Sequence, residues 1–139
     1  FVVLLFLAAW GNDTLAYCVG MLMGKHKLTP ELSPKKSIEG FVGGILGAVI
    51  LGLIYGFYIK TRLRLSFDPV VMFPIICGVG AVISVIGDLA ASAIKRDAGI
   101  KDYGSLIPGH GGILDRFDSI LLIAPVVYYL MVMISGGTI

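Results

Sequence analysis

Apolar residues in this chain come in long unbroken runs, without the alternation of a half-buried strand or the single stripe of a soluble helix. Residues 41–59 and 119–139 carry no charge, and residues 69–87 are equally clean before the run continues through Asp88 to Ile94. The opening stretch, 1–24, is one run interrupted at its centre by Asn12 and Asp13. A helix crosses the hydrocarbon core of a bilayer with about 20 apolar residues. The pattern therefore predicts about four transmembrane helices, near 1–24, 40–60, 69–95 and 117–137. The runs are too long and too uniform for barrel strands. The expected fold is all-α and polytopic.

Composition agrees. Hydrophobic residues make up 57% of the chain, charged residues 14%, and the mean hydropathy is +0.93; soluble domains carry about a quarter charged residues. A net charge of +2 is too small for a nucleic-acid footprint, so no nucleic-acid partner is expected. Cys18 and Cys77 lack CxxC spacing and read as buried structural thiols. The start at Phe1, with no Met and no basic segment ahead of the apolar run, does not resemble a signal peptide. It reads as a segment of a longer chain.

Loop charge supplies an orientation. The first connection holds Lys25, Lys27, Lys35 and Lys36, and the third holds Lys95, Arg96, Lys101 and Arg116. The opposite side has only Lys60, Arg62 and Arg64. The positive-inside rule puts the first and third connections in the cytoplasm. In the second run, Gly40/Gly44, Gly43/Gly47 and Gly52/Gly56 have GxxxG spacing, which suits close helix packing within the protein and, less so, a dimer seam.

The polar residues inside the runs point to a site. Asp13 and Asp88 stand where a charge costs at least ~2.5 kcal/mol, so each is expected to turn inward. Ser84, Asp88, Ser92 and Lys95 share one helix face, a polar stripe suited to lining a cavity. The third connection is the most polar part of the chain, with glycines around His110 and with Asp115 and Asp118 three residues apart at the start of the last helix. Those two could be simple caps favoured by the helix dipole. Together with Asp88 they suggest a hard cation bridging phosphates, and Mg2+ suits such oxygen ligands. The absence of HExxH or a Cys/His cluster argues against zinc. Lys35, Lys36, Lys95, Arg96, Lys101 and Arg116 are then candidates for holding phosphates, as nucleotidyl transfer requires, or else headgroup anchors. His110 could donate to a phosphate or order its glycine loop. The Gly20–His26 run has one residue too few for a P-loop and lacks its Ser/Thr; His26 reads as an exposed loop residue.

The run from Ser92 through Lys95-Arg96, Lys101-Asp102, Gly104, Pro108, His110-Gly111-Gly112 and Asp115-Arg116-Phe117-Asp118 resembles the signature of the phosphatidate cytidylyltransferases, also called CDP-diacylglycerol synthases. Ser33-Pro34-Lys35-Lys36-Ser37-Ile38-Glu39-Gly40 is similar to a second family segment, with Ser37 in place of Thr. Trp10-Gly11-Asn12-Asp13-Thr14 resembles its Asn-Asp helix. The resemblance implies the reaction CTP + phosphatidate → CDP-diacylglycerol + pyrophosphate, dependent on Mg2+, and further membrane helices of the same chain ahead of this segment; a second, monovalent cation is left open. It implies Asp88 and Asp115 as metal ligands, Asp118 as a third carboxylate, and Lys36 among the catalytic residues. Ser33, Lys35, Lys36, Ser92, Lys95, Arg96, Lys101, Asp102, His110, Gly111, Gly112 and Arg116 would bind substrate. It also suggests a homodimer in a bacterial inner membrane, with the site facing the cytoplasm. The alternatives are a related CTP-dependent lipid enzyme, such as a CDP-archaeol synthase or a polyprenol-type kinase, and a cation or proton transporter using Asp13 and Asp88.

Overall fold

Within a bilayer a chain must satisfy its own backbone, and the apolar runs do so as helices. The computed structural model describes the backbone of residues 2–29, 33–100 and 114–136, and their side chains other than those of 29, 33–35, 114–116 and 118. The first span, Val2–Met23, consists of α1 (Val2–Phe6), a π-helical turn (Leu7–Gly11) and α2 (Asn12–Met23). A hairpin of β1 (Lys27–Thr29) and β2 (Ser33–Ser37) follows, then α3 (Ile38–Arg62), α4 (Pro69–Asp97) and α5 (Leu114–Ile134). The first span, α3 and α4 are each long and apolar enough to cross a membrane. α5 has 21 residues, and Ser119–Ile134 within it forms a further apolar helix. The chain is an all-α, multi-pass membrane protein. Helix bounds fall close to those the apolar runs predict, with the largest shift at α5.

The hairpin was not legible in the pattern. β1 and β2 pair antiparallel, Lys27 opposite Ser37 and Thr29 opposite Ser33. Their residues are mostly Lys, Ser and Thr, so no apolar alternation marks them as strands. The pairing continues into the helix, where the Ile38 N–H donates to the His26 carbonyl at 2.9 Å.

Local caps fix where the helices begin and end. Ser37 is the N-cap of α3, its hydroxyl accepting from the Gly40 N–H at 3.1 Å. Asp68 caps α4 through the Val70 N–H at 3.1 Å, with Pro69 at the first helical position, where a missing N–H costs nothing. α4 ends in a Schellman motif: Gly99 takes φ 69°, its N–H reaches the Arg96 carbonyl at 3.1 Å, and Ile100 N–H reaches Lys95 at 2.9 Å. The chain thus turns sharply where the most polar connection begins.

α3 packs against α2 and α4 through a single row of small residues, Gly40, Gly44, Ala48, Gly52 and Gly56, all buried. Each four-residue step advances about 40° beyond a full turn, so the row winds about 160° from Gly40 to Gly56. That rotation explains why one row serves two neighbours. A Cβ at Gly40 would lie 2.6 Å from the Ala16 carbonyl oxygen of α2, and one at Gly56 would lie 2.5 Å from the Pro69 carbonyl oxygen of α4. The GxxxG spacings are therefore used for packing inside the protein.

α4 is the central helix. Its Phe73, Ile76, Cys77 and Ala81 form one buried cluster with Leu4, Ala8 and Ala9 of the first span and Ile123, Val127 and Met131 of α5. Leu46, Ile50, Ile54 and Phe57 of α3 point outward and are exposed, as expected of a lipid-facing surface. Cys77 is buried as anticipated, whereas Cys18 lies on the exposed side of α2, because the face it occupies has no helix packed against it among the described residues.

Candidate active site

The polar stripe of α4 faces inward at its upper half. Ser84 is fully buried, and Asp88, Ser92 and Lys95 are half-buried. Asp88 lies nine residues before the end of α4, about 14 Å along the helix axis. There it accepts a hydrogen bond from the Lys36 ammonium in a salt bridge. Lys36 stands 52 positions earlier in the chain, in β2 and next to the N-cap of α3. Both side chains are partly shielded, at 27% and 29% exposure, so the pair is neither a surface contact nor a sealed core pair.

This ion pair lines a cavity of about 490 Å³ between α2, the start of α3 and α4. Asn12 and Asp13 line it from α2, Lys36 and Ser37 from the end of the hairpin, and Asp88 from α4; Tyr17, Met21, Leu28 and Phe41 supply an apolar flank. Asn12 is eleven residues before the end of α2, about 16 Å along its axis, so the cavity reaches from the hairpin at the start of α3 into the first span. The Asn12 side chain is fully buried. Its amide N–H donates to Asp13 Oδ1 at 3.4 Å, while its own Oδ1 has no hydrogen-bond partner among the described residues. That oxygen lies 2.5 Å from where a Cβ on Gly44 would stand. The missing side chain at Gly44 is what admits the Asn12 amide between the helices.

Asn12 and Asp13 line the same cavity as Lys36 and Asp88, although Asp13 alone could not be assigned a role from the sequence. The available signal was a polar pair at mid-span. What the pattern lacks is the π-helical turn at Leu7–Gly11, which carries an extra residue and rotates everything after it relative to a regular helix. The face on which Asp13 falls therefore does not follow from 3.6-residue counting. His26 is exposed as expected; its ring Nδ1 lies 2.7 Å from Glu39 Oε1 and its backbone N–H donates to the same carboxylate at 3.2 Å. This clamp ties the chain before the hairpin to the first turn of α3.

Of the other candidate residues, Ser92 and Lys95 continue the α4 stripe beyond Asp88, and Arg96 is exposed in its last turn. Ser33 and Lys35 fall in β2 with Lys36. Asp115, Arg116 and Asp118 fall in the first turns of α5. The side chains of Ser33, Lys35, Asp115, Arg116 and Asp118 lie outside the described part, as do residues Lys101, Asp102, His110, Gly111 and Gly112 altogether. α4 and α5 meet almost backbone to backbone, since a Cβ at Gly87 would be 3.6 Å from the Ser119 Cα. Asp88 and Asp118 are the sequence neighbours of those two contact residues. Among the described residues no three His, Cys, Asp or Glu side chains cluster as a metal site. The cavity's donors are carboxylate and amide oxygens, the set that suits a hard cation, beside an ammonium suited to phosphate oxygens.

Comparison with known proteins places this arrangement. Residues 1–134 match the family model of the cytidylyltransferase family. The chain is 41% identical over 134 residues to the phosphatidate cytidylyltransferase of Staphylococcus saprophyticus, covering 96% of this chain and 50% of that protein. It is 43% identical over 126 residues to the phosphatidate cytidylyltransferase of Bacillus subtilis, covering 91% of this chain and 45% of that one. The chain thus spans about half the length of the curated relatives it matches. Among solved structures, an intramembrane enzyme for archaeal membrane lipids biosynthesis has the same fold, with a TM-score of 0.58 at 24% identity over 93% of this chain and 77% of the other. With the helices, the Lys36–Asp88 cavity and this match in place, the chain belongs to the cytidylyltransferase family.

Proposed function

We propose that this chain carries the site of a phosphatidate cytidylyltransferase, joining CTP and phosphatidate into CDP-diacylglycerol with release of pyrophosphate. The observation that carries the reading is the Lys36–Asp88 pair lining a cavity that runs from the hairpin into the spans. Both substrates are polyanions, and a site for them needs fixed cations and a carboxylate that can hold a metal. The apolar flank of the cavity suits the glycerolipid, and its polar end suits two phosphate groups. The bacterial relatives and the basic connections favour the inner membrane, with the site open to cytosolic CTP.

The donor oxygens of Asp88, Asp13 and Asn12 fit Mg2+ in kind, and the side-chain oxygen of Asn12 has no partner among the described residues. Asp88 would hold the ion with Asp115 and Asp118. Bound there, it would supply positive charge to neutralise nucleotide phosphates. The remaining work falls to the chain. Lys36, with Lys35, Lys95, Arg96, Lys101 and Arg116, holds phosphates and orients the two substrates. Phosphatidate is a phosphomonoester with a second pKa near ~6, so it is largely a dianion at neutral pH and attacks the α-phosphorus without a dedicated base. Catalysis is then positioning plus stabilisation of the departing pyrophosphate.

The test is pyrophosphate release by purified protein in lipid nanodiscs, with CTP and either diacyl or isoprenoid ether phosphatidate. Release with the diacyl lipid, dependent on Mg2+, is expected. Preference for the ether lipid would move the assignment to an archaeal-type lipid enzyme. Ion flux in proteoliposomes without CTP, and no pyrophosphate from either lipid, would replace it with a transporter.

A further inference from the structure

The carboxylate expected to hold the metal is already occupied by a cation of the chain itself. Lys36 donates directly to Asp88 Oδ2, and a divalent ion at that oxygen cannot share it with an ammonium. The two positive charges would repel at contact distance in a partly dehydrated site. Lys36 is anchored at its backbone, being in β2 and next to Ser37, the N-cap of α3. Its four-carbon stem carries three rotatable donors. The cavity it lines leaves open volume beside Asp88. The ammonium can therefore leave Asp88 without moving the hairpin.

We infer that Lys36 is a built-in stand-in for the metal: it caps Asp88 in the ligand-free protein and exchanges that carboxylate for phosphate oxygens when nucleotide and divalent cation enter together. The inference rests on the proposed cytidylyltransferase reading and adds a mechanism for ordered loading. While Lys36 holds Asp88, a divalent ion alone meets a carboxylate that is already neutralised. Nucleotide phosphates give the displaced ammonium an alternative partner, so the metal binds better with nucleotide than without it. By linkage, nucleotide and metal must each raise the affinity of the other by the same factor. In the interval before loading, the pair also keeps two partly shielded charges compensated, where an isolated one would be costly.

The measurement is Mn2+ binding to the purified protein in nanodiscs, read by the electron paramagnetic resonance signal of free Mn2+, with and without CTP and with no lipid substrate. Lys36→Met keeps the apolar stem and removes the charge. Wild type should bind Mn2+ weakly alone and more tightly with CTP. Lys36→Met should bind Mn2+ alone about fivefold more tightly, the scale of one partly screened ion pair, and should lose most of the enhancement by CTP. Lys36→Arg, which keeps a cation at Asp88, should stay near wild type without CTP. Unchanged or weaker Mn2+ binding by Lys36→Met in the absence of CTP, with its thermal unfolding unaltered, would overturn the inference. Asp88→Asn separates that failure from a failure of the underlying reading. Loss of Mn2+ binding in Asp88→Asn keeps Asp88 as the metal's residue whatever Lys36 does, whereas wild-type Mn2+ binding in Asp88→Asn removes the metal site and the inference with it.

Discussion

The two ends of α3 use one device for different purposes. Near its start, Gly40 and Gly44 bring it against α2, beside Asn12, Ser37 and the cavity. Near its end, Gly52 and Gly56 bring it against α4, where the neighbours are Phe73, Cys77 and Pro69. Around that second contact Tyr55 stacks on Phe73 at 5.6 Å between ring centroids, and Phe67 meets Phe73 at 6.2 Å. Small residues four apart determine only how closely two backbones approach. What the approach achieves depends on the side chains the neighbouring helix presents: a polar pocket at one end, an aromatic and aliphatic core at the other.

The comparison can be broken most directly at Asp88. Asp88→Asn should reduce nucleotidyl transfer at saturating Mg2+ by at least about a hundredfold, with little change in the unfolding temperature, because the residue lies on the cavity and not in the aromatic cluster. Near-wild-type turnover would show that the cavity end is no more functional than the other.

Next in size come alanine substitutions of the two glycine contacts. In Gly56→Ala the new methyl meets the Pro69 carbonyl, and in Gly44→Ala it meets the Asn12 amide and carbonyl. Each should destabilise by about 1–3 kcal/mol through overpacking. Only Gly44→Ala should also lower turnover per folded molecule, since it displaces the residue that hydrogen-bonds Asp13. Equal turnover in the two folded variants would remove the distinction between the ends.

Ser37→Ala, which deletes the α3 N-cap, should cost about 1 kcal/mol of stability, measured as a shift in thermal unfolding. The smallest effect belongs to the far side of the membrane. The Lys60 ammonium and the Val70 N–H hold the Asp68 carboxyl below its usual range. Its folded pKa is thus below its unfolded one, so its contribution to stability is complete above the ordinary value near ~3.9 and is lost as pH falls through the lowered value. Asp68→Ala should therefore differ from wild type at neutral pH, less so in high salt, and converge with it in strong acid. A gap in unfolding temperature that widens on acidification would contradict this assignment.

Much of the architecture was legible because lipid imposes a simple rule: a backbone in hydrocarbon must be helical, and 20-residue apolar runs identify the helices. Asp88 and the stripe from Ser84 to Lys95 were legible for the same reason, since a charge in such a run demands a partner. The identity of that partner was not. Lys36 is one of several lysines in its connection, and the polar hairpin that directs it toward Asp88 carries no periodic signal. Nor could Asp13 be placed, because the π-helical turn ahead of it shifts the helical face by an amount no spacing rule contains. The glycine row was readable as packing, but its division between α2 and α4 emerges only from how far a four-residue spacing winds around a helix.

The central claim is that Lys36 and Asp88, 52 positions apart in the sequence, act as one site on CTP. A double-mutant cycle on kcat/KM for CTP, comparing wild type, Lys36→Met, Asp88→Asn and the double variant by radiolabelled CDP-diacylglycerol formation, tests it most directly. Residues that act as a unit are strongly non-additive, so the double variant should be no worse than Asp88→Asn alone. Losses that multiply, with Lys36→Met lowering kcat/KM by the same factor in either background, would contradict it.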